Sequence, residues 1–167
     1  MALKTGLIVA AALLTAPAQA QELRFDIGHT LACLDAAGGG PGAEGCIGAS
    51  ANACMRDTPG GSSTYGMGAC IDREYSYWDD RLNASYRSLR AQERADDADW
   101  AGAPGVVSKA DALRDMQRAW IAFRDATCAY ERAQWGGGTG GGPAWAGCQM
   151  RLTGAQALYL QDMAAEY

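Results

Sequence analysis

The chain has one histidine, two lysines and two phenylalanines in 167 residues, and its cysteines form no CxxC pair. A lone His29 without a partner at ligand spacing gives no zinc or catalytic imidazole cluster. Without CxxC there is no sign of a thioredoxin-like redox pair or a zinc knuckle. Basic residues are outnumbered, 14 Lys and Arg against 19 Asp and Glu, for a net charge of −5. That sign argues against nucleic acid and anionic membrane surfaces as partners, since both repel an acidic protein, and it suits a cationic partner. No strand-like alternation of useful length appears, which excludes a sheet-based fold.

One apolar run stands out, "GLIVAAALL", preceded by Lys4 and followed by Ala18-Gln19-Ala20. This is the order of a secretory signal peptide over residues 1–20 with cleavage before Gln21, and the run is too short for a permanent membrane anchor. The expected location is periplasmic or secreted. Six cysteines follow, Cys33, Cys46, Cys54, Cys70, Cys128 and Cys148. An even number in an exported chain indicates three disulfides, and no cofactor is called for.

Residues 21–53 are rich in Gly and Ala and read as a loop-rich, cysteine-containing extension with short helical turns near Ile27 to Leu34 and Cys46 to Met55. The remainder, 54–167, reads as a helical domain. Met67, Ile71, Tyr75, Trp78, Leu82, Tyr86 and Leu89 recur every three or four residues, the stripe of an amphipathic helix that Ser63 or Thr64 can cap and that "ERADDADWAGAPG" ends. Leu113, Met116, Trp120, Phe123 and Thr127 repeat the spacing in a second helix opened by Ser108 or Asp111 and stopped by Gly136. Thr153 and Gln156 fit a capping box for a short third helix through Met163. The predicted fold is mainly α, a disulfide-stapled antiparallel helical hairpin with a short third helix and a loop-rich N-terminal extension.

Antiparallel packing brings Cys70, near the start of the first long helix, to Cys128, near the end of the second, with Cys54 and Cys148 just outside them. Two bridges among these four, in any pairing, clamp that end and leave Cys33 with Cys46. Each closure of about 15 to 20 residues contributes about 3 kcal/mol in the chain-entropy model.

"CIDREYSYWDDRLNASYRSL", then "LRDMQRAWIAFRDATC", a Gly-rich stretch and "CQMRLTGAQALYL", resembles the LprI-type lysozyme-inhibitor family. The matching residues are a cysteine, then Trp78, Leu82, Asn83, Tyr86 and Leu89, then Gln117, Trp120, Arg124, Asp125 and Cys128, then Cys148 with Leu152 and Thr153, across about residues 54 to 163. The resemblance implies a small exported helical domain with disulfides whose named member inhibits lysozyme, so a lysozyme or another cationic wall hydrolase is the implied partner. Cys33 and Cys46 are additions to that pattern.

The polar members invite a catalytic reading, but a register-fixing layer fits them better. Asn83, Gln117 and Arg124 are placed to meet between the helices, with Arg124 pairing to Glu74 or Asp79. Paired acids at 79–80 and 96–97 fall where a solvated helix face puts them, so no catalytic residue is assigned and the protein reads as a binder. The alternative is a non-inhibitory envelope module that binds another protein. "QWGGGTGGGPAWAGC" lacks the Lys-Ser/Thr ending of a phosphate loop and follows a helix instead of a strand. Flanked by Cys128 and Cys148, it reads as a tethered loop whose Trp135, Gly137, Thr139, Gly140 and Trp145 form a candidate partner-binding element.

Overall fold

A computed structural model describes residues 22–165. The signal segment expected at 1–20 lies outside the described residues. Helix α1 spans Gly28–Ala37, a 3-10 turn Gly40–Cys46, α2 Ala49–Asp57, α3 Thr64–Asp99, α4 Lys109–Ala133 and α5 Gly141–Ala165. The described residues contain no strand.

The starts of the two long helices follow the hydroxyl caps. Ser63 accepts from the Gly66 amide at 3.0 Å and Ser108 from the Asp111 amide at 3.1 Å, each satisfying a first-turn N–H. The α3–α4 connection is pinned further by Asp97, whose carboxylate accepts from the Ser108 hydroxyl and from the Lys109 and Ala110 amides at 2.7, 2.8 and 3.1 Å. Helix α3 ends at Asp99, within "ERADDADWAGAPG" as expected, and one of those acids caps its successor.

The third long helix departs most from the sequence pattern. It is 25 residues long and begins at Gly141, so Thr153 and Gln156 lie in its buried middle and cap nothing. Gly141 and Gly142 are poor helix formers, but the Cys128–Cys148 bridge and the burial of Gly141, Cys148, Gln149 and Met150 hold the first turns in place. Pro143 falls in the first turn, where its missing N–H breaks no bond. The glycine loop therefore shrinks to residues 134–140.

The chain order makes α3 and α5 parallel, with α4 antiparallel to both. Helix α5 is the central element: α3 packs most extensively on it, and α4 packs more on α5 than on α3. Its burial on several sides explains its weak periodicity, since a helix covered all round needs no polar stripe. Trp78, Leu82, Leu89, Leu113, Met150, Ala157 and Leu160 make the core. Each large side chain withdrawn from water contributes about 1.5–3 kcal/mol.

The disulfides are Cys33–Cys46, Cys54–Cys70 and Cys128–Cys148. The first staples α1 to the 3-10 turn, the second α2 to α3, and the third α4 to α5. The N-terminal extension is accordingly mostly helical, and it packs on the bundle through α2 against α3 and through the 3-10 turn against α5. A Cβ on Gly66 would overlap the Gly60 carbonyl, so glycine there permits the turn before α3 to close tightly.

Candidate functional site

Because α5 takes most of the packing surface of both neighbours, α3 and α4 part along one side and leave a groove. Tyr75, Asn83 and Tyr86 of α3 face Gln117, Trp120 and Arg124 of α4 around a hollow of about 430 Å³. Tyr75 and Arg124 also border a second hollow of about 370 Å³, lined by Asp72, Asp125, Trp145 and Gln149.

Arg124, which with Tyr75 borders both hollows, is held from three directions. Its guanidinium lies 5.1 Å from the centre of the Trp120 ring and pairs with Asp125 at 2.9 Å, while Nη1 donates to the Thr153 hydroxyl at 3.4 Å. The expected partners Glu74 and Asp79 are not used. Asp125 adjoins Arg124 in the chain and reaches it at no cost in loop closure, while Glu74 turns inward. Burial pushes the Asp125 carboxyl up, but bonds from Arg124 and from Gln149 outweigh it and hold the group below its ordinary value. Burial is also the main reason the Tyr75 phenol lies above its ordinary value, so its proton is retained.

The other motif residues divide between wall and floor. Gln117 is buried and accepts from the Gln156 amide at 3.0 Å. Asn83 is exposed and donates to Asp79 at 3.0 Å. Thus Asn83, Gln117 and Arg124 do line one inter-helix space, but they form an open groove and not a sealed polar layer. Leu82 is a core residue that borders the groove, and Trp78 is fully buried.

Trp78 leads to a residue the motif does not include. Glu74 is completely buried, and its two oxygens accept four bonds. Oε1 receives the Thr30 hydroxyl, the Gly48 amide and the Trp78 indole N–H at 2.9, 2.7 and 3.0 Å, and Oε2 receives the Ala51 amide at 2.7 Å. Two donors are backbone N–H groups at the start of α2, where a helix attracts negative charge. Gly48 presents its amide with φ at +98°, a conformation glycine adopts without strain. Glu74 therefore docks the N-terminal extension onto the bundle. Its place in the stripe, three residues after Ile71 and four before Trp78, was the available signal.

At the stapled end, Trp135 is 55 % exposed and its ring lies against Gly140, where a Cβ would overlap it. Gly137 and Thr139 are exposed, and Gly140 is partly covered. Trp145 belongs to α5, half-buried in the wall of the smaller hollow, and is not part of the loop tip. Tyr65 in the first turn of α3 and Tyr130 in the last turns of α4 add exposed rings at this end, at 76 % and 68 %. Neither hollow is lined by His, Ser or Cys, all six cysteines are bridged, and no cluster among the described residues has the composition of a metal site. The arrangement offers aromatic faces, amides and guanidinium groups, which are the equipment of recognition.

These features define a disulfide-stapled, all-α domain built to present rigid surfaces. Residues 54–160 match the family described as Lysozyme inhibitor LprI, and the chain belongs to that family. It is also similar to an uncharacterized protein of Rhizobium meliloti (strain 1021), 30% identical over 98 residues that make up 58% of this chain and 70% of the relative. No solved structure matches. The family match opens at Cys54, inside α2, so α1, the 3-10 turn and the start of α2 precede it. No helix among the described residues is long and apolar enough to cross a membrane, and three disulfides fit an oxidising compartment.

Proposed function

We propose that this protein is exported, loses residues 1–20, and binds and inhibits a lysozyme or a similar cationic wall hydrolase. The observation that carries this reading is the family match over residues 54–160. The net charge of −5 supports it, because an acidic surface raises the encounter rate with a basic enzyme. So does the stapled end, where the tether at Cys128–Cys148 limits the ordering entropy that binding would otherwise cost. Trp135 and Tyr130 are exposed aromatics of the kind that anchor interfaces. The working unit is the 54–167 domain, with 21–53 docked on it through Glu74.

The test is titration of the oxidised protein into chicken-type and goose-type lysozyme, with clearing of a cell-wall suspension as readout. Stoichiometric inhibition is expected, lost on reduction and weakened about tenfold or more by Trp135→Ala with an unchanged circular dichroism spectrum. Absence of inhibition of both lysozymes at micromolar protein overturns the reading.

A further inference from the structure

The charge of the α3–α4 groove runs against that of the whole molecule. Four arginines, Arg90, Arg114, Arg118 and Arg124, border it, and Asp79 is the one acid in its wall. Arg114 is engaged from outside by Asp111 and Asp115. Arg118 is exposed and forms no ion pair among the described residues. Arg90 is stacked 6.0 Å from the centre of the Tyr86 ring, and its Nε is buried without a hydrogen-bond partner. Neither Arg90 nor Arg118 has an acid of the described residues to neutralise it. The Tyr86 ring beside the Arg90 guanidinium restricts it before any carboxylate arrives, whereas the Arg124 guanidinium is already bonded to Asp125 through Nε and Nη2.

We propose that this groove binds a carboxylate-bearing saccharide. Arg90 and Arg118 take the acid, and neutral groups are at hand for hydroxyls: the Asn83 amide, the Tyr75 phenol, and the NH2 of Gln117, whose own Oε1 accepts from Gln156. The volume of about 430 Å³ lies in the range for small ligands, about 300–1,000 Å³. An acidic peptide fits less well, since the described residues offer no strand edge for backbone pairing and the groove is not an apolar trough for a helix. The site makes no use of the stapled end and stands apart from lysozyme binding.

Calorimetric titration of the full oxidised protein tests this with four probes: the N-acetylglucosaminyl–N-acetylmuramic acid disaccharide, neutral diacetylchitobiose, lactate and inorganic phosphate. The acidic disaccharide is expected to bind at least about tenfold more tightly than the other three, because charged and neutral contacts are both engaged. Added salt should weaken it. Arg118→Gln, at an exposed position without an ion pair, should fold normally and reduce the affinity about tenfold, and Arg90→Gln should do the same. The proposal fails if diacetylchitobiose or phosphate binds as well as the acidic disaccharide, if both variants bind like wild type, or if no heat of binding is seen at millimolar disaccharide.

Discussion

Replacing Glu74 with Gln is the sharpest probe of how the N-terminal extension is held. The side chain keeps its shape but loses its charge, and one of its two oxygens becomes an NH2 group. If the amide oxygen stays at the Oε1 position, it keeps the Thr30, Gly48 and Trp78 donors as neutral bonds, and its NH2 then faces the Ala51 N–H. Bonds to a charged group contribute about 1.5–3 kcal/mol and neutral ones about 0.5–1.5, so three demoted bonds lose about 3 kcal/mol together. The opposed Ala51 donor adds about 1–3 kcal/mol. Against this, a buried amide is cheaper to desolvate than a buried carboxylate by several kcal/mol. The net expectation is a loss of about 1–3 kcal/mol, or a Tm lower by about 3–10 °C for a chain of this size. Thermal melts by circular dichroism at neutral pH with the disulfides intact measure it. Amide hydrogen exchange should quicken more at Gly48 and Ala51 than in the α5 core. A Tm within about 2 °C of wild type, with unchanged exchange at those amides, would refute the claim that Glu74 docks the extension.

Asp97 gives a pH-dependent counterpart. Its carboxyl lies below its ordinary value of 3.8, chiefly through the Ser108 hydroxyl and then the Lys109 and Ala110 amides. A lowered folded-state value means a contribution present above the ordinary pKa and lost as pH falls through the folded one. The Tm difference between wild type and Asp97→Asn should therefore be full near pH 6 and shrink between about pH 4 and 2; a difference independent of pH contradicts the assignment. Gly66→Ala should cost about 1–3 kcal/mol, because its Cβ would meet backbone at Gly60 and Gly61. Gly68→Ala, with open space around it in the same helix, should instead stabilise by about 0.5–1 kcal/mol. Chemical denaturation compares the two, and equal midpoints would show that the α2–α3 turn is not closed as described.

Local chemistry made much of the fold legible. Ser63 and Ser108 start α3 and α4 because a hydroxyl acceptor ahead of an apolar stripe is a short-range signal. The groove was partly legible too: Asn83, Gln117 and Arg124 share it because helical spacing carries them to facing sides. Its arginines were not, since Arg90 and Arg118 come from different helices and converge only when α5 has spread α3 and α4 apart. The start of α5 is not legible for a related reason. A Thr153–Gln156 pair looks like a capping box in isolation, and only the Cys128–Cys148 staple and burial carry the helix back through glycines to Gly141.

The sequence alone therefore determined the class of molecule: an acidic, cysteine-paired, helical chain, since charge, periodicity and caps act within a few residues of one another. Tertiary structure decided the pairing of Cys54, Cys70, Cys128 and Cys148, the inward turn of Glu74 onto α2, and the opening between α3 and α4. Each of these depends on which helix takes the centre of the bundle. That is settled by the competition of whole apolar faces for burial, a sum over distant residues that no local pattern records.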